Sequence, residues 1–512
     1  MEKNCEFELT VTDMNEDGAG VGKTFDACSS VEGEKGGFTW FVKDTVPGDR
    51  ILAAATKVKK NYGFARLVRV LESSPDRTEP GCENARACGG CQLQQIRYEA
   101  QLTFKTGRVL SALTRIGGFP APGEGNGGQQ AGYVFEPIIG MPDPWRYRNK
   151  AQYPVSRDKG GRIIAGFYAG HTHSVIPCSD CRIGSEKDKA VLKAVTGWME
   201  RCKVAPYDET TLRGIVRHVL IRTSRTTGEV MACLVINADD IPNKRELRDA
   251  LESAGVTTAS LSVNKKDTNV ILGDKTVCLY GDGYITDSIG GISFHISPQS
   301  FFQVNPEQVE KLYGKALEYA GLTGSETVWD LYCGVGTISL FMAGHAKKVY
   351  GVEIVPKAIE DARENALRNG LSNTEFFTGK AEEVVPAWME QQTQNEDIRH
   401  PDVICVDPPR KGCDEKCLET ILKAAPERIV YVSCDPATLA RDLKYLCAGG
   451  YQLKKVCPVD MFPQTVHVET VTLLVRKTPD AYVRIKMDME DFDLTKSEAK
   501  ATYEEIKAYI LG

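Results

Sequence analysis

The chain has 512 residues, of which 42% are hydrophobic and 26% charged, and these values exclude collagen-like, fibrous and largely disordered proteins. This length predicts about three to four domains. The 63 basic and 69 acidic residues leave a net charge of −6, so a nucleic-acid partner must be supported by local basic patches.

Seventeen cysteines are an unusually large number. The first ten residues include four charged ones and show no signal-peptide pattern, so these cysteines are not expected to be those of a secreted protein. The sequence contains no run of about 18 apolar residues, which predicts that it does not span a membrane. We therefore expect a cytoplasmic protein. Clustered cysteines in a reducing compartment bind metal or act in catalysis more often than they form disulfides.

The first segment, residues 1–72, alternates apolar and polar positions between glycine-containing turns, which predicts a small β-barrel. Its last strands interleave basic and aromatic side chains and contain no acidic one. These residues are Lys57, Lys59, Lys60, Tyr62, Phe64, Arg66 and Arg69. Such a surface can follow a phosphate backbone and stack on bases, and a solvated strand face has the same composition.

The second segment, residues 73–300, begins with a cysteine cluster and continues into a mainly β region, which predicts an α+β domain. Residues 146–162 carry six basic side chains against one acidic side chain and form a second basic patch. The predicted helices are Tyr98–Ile116, Ser185–Cys202 and Asn243–Ser253, and Gly117–Gly132 is a predicted loop.

In the third segment, residues 301–478, helices alternate with short apolar strands, which predicts a doubly wound, Rossmann-like parallel sheet. The whole chain is therefore predicted to be a multidomain α/β protein. Residues 479–512 are an acidic extension with a predicted amphipathic helix, Lys496–Leu511. The predicted strands are Thr327–Leu331, Lys348–Val352, Thr374–Thr378, Val403–Val406 and Ile429–Ser433, followed by a hairpin of Lys454–Val459 and Val468–Val475.

A cofactor site is predicted where the first of these strands turns into a helix. Asp330 precedes a turn in which Gly334 and Gly336 let a ligand approach the backbone. Glu353 ends the next strand and is spaced to accept ribose hydroxyls. S-adenosylmethionine fits better than a nicotinamide dinucleotide, because Ser339 replaces the third glycine of the dinucleotide pattern and Asp330 would repel a pyrophosphate. An unused Rossmann turn is the remaining alternative.

Three further polar groups follow later strands of the same sheet. Asp407 begins an Asp-Pro-Pro motif, and the Arg410 that follows it disfavours an amino methyltransferase, which has an aromatic residue there. Cys434 lies in a polar turn and is a candidate nucleophile, with a small buried hydrophobe as the alternative. Glu469 is a candidate base if it is partly buried, and otherwise an exposed strand residue.

Cys82, Cys88 and Cys91 have the spacing of metal ligands, and Cys178 or Cys181 could complete the set. Tetrahedral zinc and a four-iron cluster both accept four cysteines. The first gap is longer than zinc sites usually have, which favours iron and sulfur. Zinc and free thiols remain alternatives.

Five motifs occur together with this cysteine set in one order along the chain. They are Phe301-Phe-Gln-Val-Asn305, Asp330-Leu-Tyr-Cys-Gly-Val-Gly336, Asp407-Pro-Pro-Arg-Lys-Gly412, Ser433-Cys434 and His467-Val-Glu469. The combination resembles the RNA uracil-5-methyltransferase family, in the branch that acts on 23S ribosomal RNA and carries a TRAM barrel and an iron–sulfur cluster. The resemblance covers essentially the whole chain.

The resemblance implies a role for each motif. Cys434 would be the nucleophile, Glu469 the base, and Phe301 the residue that stacks on the target base. By the resemblance, Gln303, Tyr332, Glu353 and Asp407 would contact S-adenosylmethionine. They join Asp330, Gly334 and Gly336 of the predicted cofactor turn. A [4Fe–4S] cluster would be held by Cys82, Cys88, Cys91 and Cys181. Cys181 is preferred to Cys178 because, like the family's fourth ligand, it follows a histidine, His173, by eight residues.

The resemblance also implies partners. We expect a monomer that methylates RNA and has no DNA or membrane partner, with 23S ribosomal RNA as substrate and transfer RNA as the alternative. An amino methyltransferase on nucleic acid and a non-catalytic RNA-binding protein are the other hypotheses. The insertion Phe25–Gly36 would lengthen a barrel loop.

Overall fold

The computed structural model describes residues 3–24, 37–122, 132–170, 172–391 and 400–477. The predicted insertion Phe25–Gly36, most of the predicted loop Gly117–Gly132 and the C-terminal extension with its predicted helix lie outside these residues. No helix in the described ranges is long and apolar enough to cross a membrane.

The N-terminal segment forms a sheet whose inward and outward residues alternate. Phe7 and Leu9 of the first strand pack with Trp40 in one core, while the alternating Glu6 and Glu8 are exposed. Its described strands are β1 (Glu6–Thr10), β2 (Asp13–Met14), β3 (Gly20–Thr24), β4 (Phe38–Val42), β5 (Arg50–Val58) and β6 (Tyr62–Glu72). Their order is β1-β5-β6-β4-β3-β2, so the predicted β-rich segment is confirmed.

The central segment contains a mixed sheet and the three predicted helices. Its helices are α1 (Tyr98–Ala112), which continues into the π-helical turn Leu113–Gly117, α2 (Asp188–Arg201) and α3 (Lys244–Ser253). Its described strands are β7 (Val134–Phe135), β8 (Lys150–Arg157), β9 (Ile163–Tyr168), β10 (Val175–Pro177), β11 (Val216–Thr223), β12 (Val230–Ile236), β13 (Thr258–Val263), β14 (Lys275–Tyr280), β15 (Ile285–Ile289) and β16 (Ile292–Ile296). The sheet order is β10-β9-β8-β11-β12-β13-β14, and β15 pairs with β16.

The C-terminal part of the described chain alternates helices and strands as the sequence predicts. Its helices are α4 (Pro306–Ala320), α5 (Thr337–Ala343), α6 (Pro356–Arg368), α7 (Ala381–Gln391), α8 (Glu415–Ala424) and α9 (Pro436–Ala448). Its strands are β17 (Thr327–Leu331), β18 (Lys348–Glu353), β19 (Thr374–Thr378), β20 (Val403–Val406), β21 (Arg428–Ser433), β22 (Tyr451–Val459) and β23 (Glu469–Arg476).

These strands form one sheet in the order β19-β18-β17-β20-β21-β23-β22-β7. From β19 to β21 the strands are parallel, and β22 and β23 form an antiparallel hairpin. This is the doubly wound arrangement in which ligands bind beyond the carboxyl ends of the strands. The predicted Rossmann-like fold and the predicted terminal hairpin are confirmed.

The edge of this sheet is supplied by residues from far earlier in the chain. Val134 and Phe135 of β7 pair in parallel with β22, and Val109 and Leu113 pack in the same hydrophobic core as α9. The helix α1 and the strand β7 are therefore structural parts of the Rossmann-like unit.

Candidate active site

A cleft of about 1070 Å³ opens at the carboxyl ends of the parallel strands. Nine of the residues selected from the sequence line it: Phe301, Gln303, Asp330, Tyr332, Gly334, Glu353, Asp407, Cys434 and Glu469. Gly336 lies behind the residues that line the cleft, at the start of α5, and a Cβ added there would come within 3.2 Å of Ala362. The cleft thus brings together groups that six different strand ends or loops supply.

Asp330 is fully buried at the end of β17, and burial raises its pKa to about 7. Ser339 of α5 donates a hydrogen bond to its Oδ2 at 2.5 Å, while its Oδ1 has no partner among the described residues. A buried acceptor without a partner costs free energy unless a ligand satisfies it. The Ser339 hydroxyl orients the Asp330 carboxyl. A glycine at this position, as in a dinucleotide site, could not make that hydrogen bond.

The turn after β17 has a backbone that few residues adopt. Tyr332 has a φ of 73° and Gly334 a φ of 56°. A non-glycine residue in this region costs on the order of 1–3 kcal/mol, so such strain persists where neighbouring contacts enforce it. The amides of Tyr332 and Cys333 donate to the Val352 carbonyl at 3.0 Å, which holds the turn against β18. Nothing lies within 4 Å of a Cβ added at Gly334, so its backbone faces open space.

Glu353 ends β18 and faces the same cleft. Its carboxylate accepts hydrogen bonds from the amides of Gly334 at 3.2 Å and Val355 at 3.0 Å. The next two side chains, Ile354 and Val355, are 59% and 50% exposed and line the cleft. An apolar wall beside a carboxylate suits a flat, partly polar group such as a nucleoside. Sequence reasoning missed this wall, although an apolar pair directly after the strand-end acid was a usable signal.

Cys434 and Glu469 come from adjacent strands. Ser433 of β21 pairs with Thr470 of β23, and the antiparallel register makes Cys434 and Glu469 the next opposed positions. Burial, followed by the charge of Glu469, raises the pKa of Cys434 to about 12. Burial, followed by the charge of Asp407, raises the pKa of Glu469 to about 8. The charge of Glu469 therefore acts on the Cys434 thiol at the end of the ladder.

Arg410 and His467 also line the cleft, and neither was selected from the sequence as a site residue. Arg410 follows the Asp-Pro-Pro motif, and its charge acts to lower the pKa of both Cys434 and Glu469. Burial, followed by the charge of Arg410, lowers the pKa of His467 to about 4, so its imidazole is neutral at pH 7. Their proximity in sequence to Asp407 and Glu469 was the available signal.

The predicted cluster cysteines occupy the loop before α1 and the turn after β10. Asn84 of that loop donates to the Pro177 carbonyl at 3.0 Å, which connects the two regions. Burial raises the pKa of Cys82, Cys88 and Cys91, and the charge of Cys181 acts in the same direction on each. Among the residues that the structure describes, no three His, Cys, Asp or Glu side chains are arranged to hold a metal ion.

The two predicted basic patches differ in how many of their charges are paired. Arg146 pairs with Asp180 at 2.6 Å and Arg162 pairs with Asp158 at 2.8 Å, so two of the six basic side chains of the second patch are neutralised. The basic residues of the first patch form no ion pair within the described ranges; they are Lys57, Lys59, Lys60, Arg66 and Arg69. Tyr62 and Phe64 on the same surface are each 40% exposed.

Comparison with known proteins gives consistent matches. Residues 228–477 match the family model described as tRNA (uracil-5-)-methyltransferase, and residues 2–68 match the TRAM domain. An uncharacterized RNA methyltransferase of Halalkalibacterium halodurans is 48% identical over 477 residues, which are 93% of this chain and 98% of that protein. One from Listeria innocua is 45% identical over 478 residues, 93% of this chain and 99% of that protein.

Among solved structures, the tRNA (uracil-54, C5)-methyltransferase of Pyrococcus abyssi in complex with S-adenosyl-L-homocysteine superposes with a TM-score of 0.70. The two chains are 26% identical, and the match covers 91% of this chain and 99% of that one.

Proposed function

Because the chain belongs to the RNA uracil-5-methyltransferase family and is an RNA methyltransferase, we propose that it methylates C5 of a specific uridine in 23S ribosomal RNA. The observation that carries this proposal is the placement of Cys434 and Glu469 directly beyond the last pair of one ladder, inside the cleft that also contains Asp330 and Glu353. A nucleophile and a base beside each other in one cleft suit covalent catalysis on a nucleobase.

The reaction needs a nucleophile because C5 of neutral uracil is too weakly nucleophilic to take up a methyl group until C6 has been attacked. The Cys434 thiolate adds to C6, the C5–C6 π electrons move into an enolate, and C5 becomes nucleophilic. Arg410 favours the ionised thiol by its charge. S-adenosylmethionine supplies the electrophilic methyl group that C5 takes up.

Glu469 completes the reaction by removing the remaining proton from C5. The electron pair of the C5–H bond re-forms the C5–C6 double bond, and the Cys434 thiolate leaves C6. Burial makes Glu469 a stronger base than an exposed carboxylate, since its pKa is raised to about 8. The products are 5-methyluridine, S-adenosylhomocysteine and a protonated Glu469.

The chain's own residues supply a cradle that fits S-adenosylmethionine. The unpartnered Oδ1 of Asp330 is a candidate acceptor for the ligand's ammonium group, and Glu353 for its ribose hydroxyls. Ile354 and Val355 would cover the adenine face. Asp407, Gln303, Tyr332 and the backbone of Gly334 complete the proposed contacts, and Phe301, 69% exposed beside them, would stack on the extruded uracil.

We also propose that Cys82, Cys88, Cys91 and Cys181 hold a [4Fe–4S] cluster. The support is the chemistry of the donor set, four cysteine thiols whose charges act on one another, together with the loop contact between Asn84 and Pro177. The cluster would have a structural role, fastening the loop before α1 to the turn after β10.

The proposed RNA contact is the first basic patch, in the segment that matches the TRAM domain, with its unpaired lysines and exposed aromatic rings. The enzyme would act as a monomer. Transfer RNA is the second candidate substrate, because the solved neighbour is a transfer-RNA enzyme.

The test uses RNA fragments that carry 5-fluorouridine, because fluorine cannot leave C5 as a proton. Wild-type protein with S-adenosylmethionine should form a covalent complex through Cys434, detected by denaturing gels and mass spectrometry. Cys434→Ala should bind S-adenosylmethionine normally but neither trap nor turn over. No trapping by active wild-type enzyme would contradict the proposed chemistry, and trapping on transfer-RNA but not ribosomal-RNA fragments would contradict the proposed substrate.

A further inference from the structure

The connection between β22 and β23, residues 460–468, is here called the hairpin loop. Val459 and Glu469 are cross-strand partners at the two ends of this loop. The first loop residue, Asp460, therefore directly follows the residue that faces Glu469. The position of Glu469 relative to Cys434 depends on how the hairpin loop is held.

A polar stripe on α1 holds the hairpin loop. Tyr98, Gln101, Lys105 and Arg108 recur at helical spacing, and each contacts this loop. The Gln101 side chain accepts from the Gln464 amide at 3.1 Å and donates to its Oε1 at 3.0 Å. Arg108 donates to the Val466 carbonyl. One helix face thus fixes the hairpin loop at several points.

Lys105 and Asp460 are the centre of this contact. Lys105 Nζ lies 2.5 Å from Asp460 Oδ1 and donates to the Phe462 carbonyl at 3.0 Å. The Tyr98 hydroxyl donates to Asp460 Oδ2 at 2.8 Å and accepts from the Met141 amide at 2.8 Å. Both oxygens of the carboxylate and the loop carbonyl beside it therefore have defined partners.

This ion pair is completely shielded from solvent, since both side chains are 0% exposed. Removing two charges from water is costly, and an apolar pair of similar volume is often equally stable. A buried pair of this kind is therefore weak as a source of stability, but its hydrogen-bond geometry allows few alternative loop positions. The ion pair is therefore suited to fixing the position of the hairpin loop.

We propose that Lys105 and Asp460 are positioning residues for the removal of the C5 proton, because they fix the hairpin loop so that Glu469 faces the adduct on Cys434. The inference rests on the proposed function. It assigns no contact with substrate to either residue, and it concerns the last chemical step rather than the attack by Cys434.

Other anchors should keep the hairpin loop folded when this pair is changed. The amides of Gln92 and Leu93 donate to the Gln464 carbonyl, and the side chains of Asn305 and Gln308 donate to the carbonyls of Met461 and Asp460. These contacts do not involve the ion pair. Loss of the pair should therefore loosen the loop rather than unfold it.

The experiment replaces both charges together as Lys105→Met with Asp460→Asn, so that no buried charge is left without a partner. The matched control is Arg77→Met with Asp49→Asn, which removes another ion pair, at 2.5 Å and with exposures of 14% and 0%, that lies outside the cleft. Each protein is tested for turnover on uridine RNA, for trapping on 5-fluorouridine RNA, and for thermal unfolding.

Trapping needs attack by Cys434 and methyl transfer but not the base, so it separates positioning from general damage. The Lys105/Asp460 variant should trap like wild type, while its turnover falls between about tenfold and a hundredfold and methylated adduct accumulates on uridine RNA. The control variant should show no such separation. Equal turnover, or a parallel fall of turnover and trapping, would overturn the inference.

A second variant covers the case in which the double variant does not fold. Tyr98→Phe leaves the ion pair in place and removes the two hydrogen bonds of the Tyr98 hydroxyl, to Asp460 Oδ2 and from the Met141 amide. It should lower turnover relative to trapping in the same direction, by a smaller factor. An unchanged ratio in Tyr98→Phe would then overturn the inference. If wild-type protein itself fails to trap, the proposed function is wrong; if it traps and the variants show no separation, only the positioning role is wrong.

Discussion

Burial and the charge of Asp407 raise the pKa of Glu469 to about 8, and this value determines how the proposed base should respond to pH. A carboxylate accepts a proton only when it is ionised. A group with this pKa is roughly one-tenth ionised at pH 7 and roughly nine-tenths ionised at pH 9. The rate of C5 proton removal should therefore rise about ninefold between these two pH values.

The ratio of turnover on uridine RNA to trapping on 5-fluorouridine RNA isolates proton removal, because the two reactions share every step before it. In wild-type protein the ratio should rise with pH and level off above pH 8. Glu469→Gln should trap normally, lose multiple turnover and accumulate methylated adduct at every pH. A ratio that does not change between pH 7 and pH 9, or normal turnover by Glu469→Gln, would refute the assignment of Glu469 as the base.

The same carboxyl should make stability depend on pH. Because its pKa is raised in the folded protein, the folded state binds the proton more tightly than the unfolded chain does. Its stabilising contribution is complete below the ordinary pKa and is lost as the pH rises through about 8, with a total on the order of 5 kcal/mol at most. Glu469→Gln lacks this contribution, so its melting temperature should rise relative to wild type between pH 5 and pH 8.5.

Three further outcomes are expected. Ser339→Ala leaves the buried Asp330 carboxyl without its donor, so stability should fall by about 1–3 kcal/mol and S-adenosylmethionine should bind more weakly by calorimetry; unchanged affinity would argue against Asp330 as a ligand contact. Anaerobically purified protein should contain about four irons per chain, lost in Cys181→Ser and kept in the matched Cys178→Ser, whereas one stoichiometric zinc would contradict the cluster. Neutralising three lysines should weaken RNA binding and flatten its salt dependence by roughly two units without changing cofactor affinity; identical salt titrations would make them a solvated face. These lysines are Lys57, Lys59 and Lys60.

The strands of the Rossmann-like unit could be predicted closely from sequence because each is short, contains adjacent apolar residues and is bounded by polar or turn residues. The strands β17, β19 and β20 begin and end at the predicted residues. The same local patterns place polar side chains at the strand ends, and parallel strands bring those ends together. That is why Asp330, Glu353 and Asp407 could be selected before the structure was known.

Contacts between distant segments could not be predicted. Lys105 and Asp460 are 355 residues apart, and nothing near either residue indicates a partner. For the second basic patch, residues 146–162, the sequence overstated the unpaired positive charge. The patch contains one acidic residue in sequence, but Arg146 pairs with Asp180, which lies outside the patch in the turn after β10. Sequence counts measure neighbours in the chain, whereas electrostatics depends on neighbours in space.

The edge strand β7 has a consequence for synthesis of the protein. Pro137, just after β7, lies beside Cys457 of β22, although 320 residues separate them. At about 5–20 residues per second, a ribosome takes roughly 16–64 s to add that length. During this time α1 and β7 have no sheet to complete, and Lys105 has no carboxylate to pair with. The active site is therefore assembled only when the last hairpin emerges, and a chain that terminates before β22 presents an unpaired strand and an unburied helix to the cell's chaperones.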